Sequence, residues 1–225
     1  MLNVLQNLDW MKLVDMLLSV IPVLICITVH ECCHGLCALW LGDDTAKRAG
    51  RLSLNPIKHF DVIGFIMLVT VGFGWAKPVP IDMRRFKNPR QGMALTALAG
   101  PASNIVLAIV MLFIFGLLFV PLQANTVGYY VLVSIMRTAT LSISLAVFNI
   151  IPISPLDGSK VLFSFLPDEW YYKLMRYERY GMLVLVLLTM TDVLSKPLGF
   201  LTQNVYDKLV IFAQWGMDIT AHFIT

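Results

Sequence analysis

His30-Glu31-Cys32-Cys33-His34-Gly35 lies inside the apolar run Leu13–Trp40, LVDMLLSVIPVLICITVHECCHGLCALW, and the reading of this stretch decides the rest. On a helix of 3.6 residues per turn, His30 and His34 sit about 40° apart on one face, so both imidazoles reach a single metal ion. Glu31 projects about 100° from His30 and about 60° from His34, beside the metal position rather than away from it. This H-E-x-x-H pattern supplies two nitrogen ligands for zinc and a carboxylate placed to handle the proton of a metal-bound water. The bland alternative is two histidines satisfied inside a helix bundle, with Glu31 reaching out to water. The cost of three ionisable groups deep in an apolar segment weighs against it.

The 225 residues are 58% hydrophobic and only 14% charged, with a mean hydropathy of +0.75. Soluble domains are about 45–50% apolar and about 25% charged. The excess describes a polytopic membrane protein, a single membrane-embedded domain over 1–225 with its core at about 13–160. A net charge of +3 without a basic stripe gives no footprint for nucleic acid. All four cysteines, Cys26, Cys32, Cys33 and Cys37, fall on the motif helix. Cys33 and Cys37 are four apart, with Cβ atoms about 5–6 Å from each other, too far for a disulfide. The thiols read as small packing residues, with Cys37, seven after His30, as a lesser candidate ligand. Residues 1–12 lack a basic n-region, and the first apolar segment carries the motif. It is therefore expected to be retained rather than cleaved.

In chain order, 1–12 form a short lead-in and the motif helix runs over about 13–41 with a kink at Pro22. Residues 43–61, DDTAKRAGRLSLNPIKHFD, are polar and basic. Residues 62–73 are apolar but too short to cross a bilayer as a helix. Gly74-Trp75-Ala76-Lys77-Pro78-Val79-Pro80 has extended character. The span 49–81 is expected to form strands and a re-entrant element, a small β-hairpin at membrane depth, tolerated there only where it is buried or lines a cavity. Further spanning helices are expected over about 93–119, 129–151 (with Arg137 inside) and 181–201, the last interrupted by Asp192, Lys196 and Pro197. The tail 203–225 carries Val205, Leu209, Phe212, Trp215, Ile219 and Phe223 at the spacing of one amphipathic helix. The expected fold is thus a membrane all-α bundle of about four spanning helices with a small β element.

Nine of the seventeen lysines and arginines lie between residues 47 and 90 and four more between 160 and 179, whereas 121–128 has none. By the positive-inside rule, 43–91 and 155–180 face the cytoplasm, and His30 and His34 sit in the cytoplasmic half of their helix.

A third ligand is needed. Aspartate complements two histidines on zinc, and Asp157, after the proline-broken helix end Asn149–Pro155, is on the same side. Asp157-Gly158 is also an ordinary turn pair, and spacing alone leaves the two readings equal. HECCHG, GDDTAKRAGRLSLNPIKHFDVIG, GFGWAKPVP, AGPASN and FNIIPISPLDG, in this order, resemble the site-2 protease family of intramembrane metalloproteases over about residues 20–200. The likeness is to its small prokaryotic members without PDZ or CBS domains. The resemblance implies one zinc ion per chain, with His30, His34 and Asp157 as ligands and Glu31 as the general base. It implies hydrolysis of peptide bonds within the membrane helix of a single-span substrate, in a multi-pass protein of the cell membrane. Asn149 is implied as a candidate for holding substrate or oxyanion, alongside capping the broken helix. Cys32 and Cys33 depart from the residues usual between the ligands, and Ser154 stands where proline is common.

Unwound substrate backbone needs new partners in a low-water site, and Trp75, Ala76 and Lys77 are the candidate edge for pairing with it. His59 and Asp61 are expected to brace the loop or support the ligands. Two competing classes exist. A CAAX-type membrane zincin takes glutamate as its third ligand, for which only Glu169 and Glu178 are available, neither in a matching motif. A non-enzymatic zinc-binding or transport protein needs ligands on several spanning helices, and the remaining histidines, His59 and His222, lie in none.

Overall fold

The computed structural model describes residues 10–71, 74–191 and 193–224. The motif helix α1 runs Trp10–Trp40 and is followed by a single turn, α2, Thr45–Arg48, and the apolar helix α3, Val62–Val71. Two long helices come next, α4 over Pro89–Leu122 and α5 over Thr126–Asn149. Four shorter ones follow: α6, Asp157–Ser164; α7, Asp168–Arg176; α8, Glu178–Met190; and α9, Ser195–Leu209. The chain closes with α10, Ile211–Ile224. The expected lead-in at residues 1–9 and the interruption at Asp192 lie outside the described residues.

Among the described residues, three helices are long and apolar enough to cross a membrane: Leu18–Trp40, Pro89–Leu122 and Thr126–Asn149. The expected fourth span is corrected. Residues 181–201 divide between α8 and α9, and the apolar part, Tyr180–Thr189, has only ten residues, about 15 Å of helix against the ~30 Å a bilayer requires. Pro197 falls in the first turn of α9, where its missing N–H costs no intrahelical bond.

The β element is also corrected: no strand occurs among the described residues. Residues 62–71 are helical, with the Asp61 carboxylate accepting from the Gly64 N–H at the helix start. Residues 74–80 form an irregular strap. Pro78 and Pro80 lack the donors a ladder needs, and the strap's polar backbone bonds elsewhere. The Lys77 N–H donates to the His59 carbonyl at 3.0 Å, and the Lys77 carbonyl accepts from Arg51 Nη2 at 2.6 Å.

The core is the junction of α1, α4 and α5. α4 turns a stripe of small residues inward, Ala97, Gly100, Asn104, Ala108 and Gly116, all buried. Spacings of three and four, and of eight from Ala108 to Gly116, keep them near one face and let neighbouring backbones approach closely. A Cβ at Gly116 would run into the Ala213 carbonyl of α10. α9 and α10 form a hairpin over α4 and α5: Leu198, Val205 and Leu209 pack on Ala108, Ile143 and Val147, and Phe212 with Ala213 packs on Leu112 and Ala139. The tail is therefore two helices meeting at Val210, and its apolar stripe packs inward only at its start, since Trp215 and Phe223 are exposed. Arg137, inside α5, bonds Ser19 Oγ of α1 at 3.1 Å and so ties the two helices together far from the motif.

Candidate metal centre

α1 presents His30 and His34, buried, on the face it turns to α4. Gly100 makes room for them, since a Cβ there would lie 2.5 Å from His34 Nε2. This gives the small-residue motif AGPASN its purpose. α5 ends at Asn149, and a tight turn through Pro152 and Pro155 brings the chain back to start α6 at Asp157. Gly158 is required by close approach, because a Cβ there would run into the Ile150 carbonyl oxygen. Asp157 is thus the first residue of a helix and not a turn residue, with the positive end of the α6 dipole behind its carboxylate.

His30 Nε2, His34 Nε2 and Asp157 Oδ2 form a nearly equilateral triangle. The nitrogens are 3.0 Å apart, and each lies 3.1 Å from the carboxylate oxygen. Burial alone would raise the Asp157 pKa; where the two imidazoles are protonated, their N–H groups and positive charge outweigh this and hold it below the ordinary carboxylate value. Lys160 Nζ, 3.8 Å from Oδ1, adds a positive charge on the outer side.

The polar groups around the triangle fix what it can hold. His34 Nδ1 lies 2.7 Å from the Thr96 carbonyl oxygen. A ring nitrogen facing a carbonyl carries the hydrogen, so in the neutral ring Nε2 is a bare lone pair. That lone pair faces a carboxylate oxygen and a second imidazole nitrogen, a cluster of acceptors that a shared proton or a metal ion reconciles. A tetrahedral zinc with ligand bonds of about 2.0–2.1 Å holds its ligand atoms ~3.3 Å apart, close to what is seen. The Asn104 side-chain amide lies 3.2 Å from His30 Nδ1, with Oδ1 unpartnered. Turned by 180°, the amide offers that oxygen to Nδ1–H, the support a metal-bound imidazole requires. The residues present fit zinc.

Glu31 lies beside the triangle, on the wall of a cavity of about 380 Å³ that His30, His34, Asp157, Asn149, Trp75 and Ala76 also line. Glu31 Oε2 accepts the Val79 N–H at 2.9 Å. Lys77 does not line this cavity; its backbone is held by His59 and Arg51. His59 braces, with Nε2 2.8 Å from the Ser53 carbonyl and its own carbonyl on the strap. Cys37 is outside the triangle, and among the described residues only His30, His34 and Asp157 form a cluster able to hold a metal. Cys26 and Cys32 donate to the carbonyls of Thr138 and Ser53. Glu169 and His222 are exposed and away from the cavity, and the Glu178 side chain lies outside the described residues.

Three partners of the triangle were not singled out by sequence. Asn104 carried a signal, an amide four residues after Gly100 in an apolar helix. Thr96 acts through its backbone and left none. Lys160, one turn after Asp157, is legible only once Asp157 is placed at a helix start.

The chain is 39% identical over 184 residues to "Putative zinc metalloprotease YwhC" of Bacillus subtilis (strain 168), a match covering 80% of this chain and 81% of that protein. The signature of peptidase family M50 matches residues 122–191. The chain belongs to peptidase family M50. Within M50 it is also similar to "Putative zinc metalloprotease Rip2" of Mycolicibacterium smegmatis (strain ATCC 700084 / mc(2)155), 28% identical over 77% of this chain and 66% of that protein. The protein of the same name from Mycobacterium tuberculosis (strain ATCC 25618 / H37Rv) is 26% identical over 76% of this chain and 66% of its own length. No solved structure matches the chain. The segment that carries the M50 signature includes both Asn149 and Asp157.

Proposed function

We propose that this M50 peptidase is an intramembrane endopeptidase that binds one zinc ion through His30, His34 and Asp157 and cuts the membrane helix of single-span proteins. The observation that carries the reading is the buried His30–His34–Asp157 triangle, set at the ends of membrane-length helices with a carboxylate beside it and an apolar-walled cavity in front. Zinc bound there supplies Lewis acidity, polarising a carbonyl and making water nucleophilic near neutral pH. Glu31 takes the proton of the attacking water and returns it to the leaving amine as the C–N bond breaks. Asp157, an anion among imidazoles, lowers the net charge of the site and holds both rings in register. Thr96 and Asn104 fix the orientation of those rings.

A substrate helix hides its peptide groups in its own hydrogen bonds, so it must unwind locally before attack. The strap at Trp75 and Ala76 lines the cavity together with the ligands and is where unwound backbone finds new partners. Asn149, at the end of α5, also lines the cavity and is the candidate to hold substrate or oxyanion; its side-chain N–H₂ also donates to the Leu145 carbonyl. The lysine and arginine placement supports a site at the cytoplasmic side.

The test compares membrane proteomes of cells carrying wild type and Glu31→Gln. The expected result is an uncut single-span precursor that accumulates with the variant and disappears with wild type. Identical proteomes, together with failure of the purified protein to cut any single-span helix in zinc, would end the proposal.

A further inference from the structure

We infer that the helix being cut rests, beyond its unwound stretch, in an apolar groove between α1 and α5 that leads away from the metal centre; this builds on the protease reading above. The groove is a second cavity, of about 390 Å³. Val20, Val23, Leu24 and Ile27 form one wall and Leu141 and Leu145 the other, all half-buried. On α1 these are positions i, i+3, i+4 and i+7, one face of a helix. Four residues beyond Ile27 that face carries Glu31, and seven beyond it His34. On α5, Leu141 and Leu145 are continued at the same spacing by Phe148 and Asn149, both on the wall of the metal cavity. Each groove wall is therefore the outward continuation of a wall of the site. Ile27, Leu145 and the strap from Gly74 to Ala76 line both cavities.

The groove follows α1 from Ser19 to Thr28, about 13 Å at 1.5 Å per residue, or two and a half turns of a docked helix. Its occupant is apolar, lies within the membrane and reaches the metal cavity. A lipid chain satisfies the first two conditions, but the inner end of the groove calls for more. Thr28 Oγ1 and His59 Nδ1, on residues lining that end, are buried and have no hydrogen-bond partner. His59 Nε2 faces the Ser53 carbonyl at 2.8 Å and so carries the hydrogen, which leaves Nδ1 an acceptor. An acyl chain has nothing to offer these atoms. A helix unwound at one end has orphaned N–H and C=O groups in its last turn, and inside a membrane these must be met by protein. The groove thus matches a membrane helix frayed where it enters the site.

The experiment uses the full-length Glu31→Gln protein in lipid and a single-span reporter whose apolar helix carries a central Gly-Pro break. Benzoylphenylalanine is placed at Leu24 or at Trp75. The expected result is a crosslink from Trp75 to the break and from Leu24 to the apolar helix on one side of it. Crosslinks from Trp75 to the reporter but from Leu24 to lipid alone overturn the groove and leave the protease reading standing. No crosslink to the reporter from either position overturns both. A second arm uses the active enzyme with Leu24→Trp or Leu141→Trp, which fill the groove without lining the metal cavity. Cleavage of the reporter falls at least tenfold, whereas cleavage of an eight-residue soluble peptide containing the same break changes less than twofold. Equal effects on both substrates count against the groove. Val106→Trp, on an exposed face of α4, serves as the control for bulk alone.

Discussion

The backbone N–H of Val79 donates a 2.9 Å hydrogen bond to Oε2 of Glu31, which ties the strap that lines the cavity to the carboxylate proposed as the general base. The two functions separate by substitution. Glutamine keeps an acceptor for Val79 but takes no proton, so Glu31→Gln is expected to lower cleavage by at least ~100-fold while keeping zinc and the crosslink from Trp75 to substrate. Alanine removes the acceptor as well, and Glu31→Ala is expected to weaken that crosslink. Residual cleavage by Glu31→Gln at a tenth of the wild-type rate would remove Glu31 from the role of base.

Asp157→Ala deletes one corner of the triangle and leaves two imidazoles in a buried site. Zinc affinity is expected to fall by more than the ~10–100-fold typical of losing an outer partner, and activity with it. Metal content of the purified variant by mass spectrometry decides this. Full occupancy would reduce Asp157 to a helix-start residue.

Gly100→Ala places a methyl 2.5 Å from His34 Nε2 and 2.6 Å from His30 Cε1. The rings are held from behind by Thr96 and Asn104, so they cannot yield without losing the ligand geometry. The variant is expected to lose zinc despite keeping every ligand. Gly199→Ala, where a Cβ meets nothing within 4 Å, is expected to be silent. Normal zinc content in Gly100→Ala would show that the helices separate freely at this crossing.

The four thiols are expected to be dispensable for the chemistry. Cys26 and Cys32 donate to backbone carbonyls, and no thiol joins the metal-binding cluster among the described residues. The quadruple alanine variant is expected to keep zinc and activity with a lower melting temperature, because Cys26 and Cys32 are buried. Loss of zinc in Cys37→Ala alone would contradict this.

The grouping of His30, Glu31 and His34 was legible because they share one helix, where spacing fixes direction. Asp157 was not decidable from spacing: an Asp-Gly pair after prolines reads as a turn until tertiary structure places it at the start of α6. Extended sequence such as 74–80 looks the same whether or not it pairs, so the expected hairpin became a strap held by Arg51, His59 and Glu31. The miscounted fourth span has a similar cause. An apolar average over 181–201 hides the break between the end of α8 and the start of α9 at Ser195. Arg137, odd in an apolar helix, acquires a reason only when Ser19 is found opposite it.

Arg51 is the residue on which the strap most depends. It is 9% exposed, and its Nη2 donates to the Lys77 carbonyl at 2.6 Å, while the Lys77 N–H is taken by the His59 carbonyl. Lys77 is thereby clamped on both sides, two residues before the Val79–Glu31 bond. A hydrogen bond from a charged donor contributes about 1.5–3 kcal/mol, and 1.4 kcal/mol is about a factor of ten in population. Arg51→Ala is therefore expected to lower kcat/KM by about 10- to 100-fold with zinc content unchanged, because the strap is displaced and the triangle is not. Arg51→Lys retains the charge but not the planar fork and is expected to restore only part of the loss. The crosslink from Trp75 to substrate should weaken in parallel with kcat/KM. Full activity in Arg51→Ala, or a loss of zinc that tracks the loss of activity, would show that the clamp at Lys77 does not position the strap for cleavage.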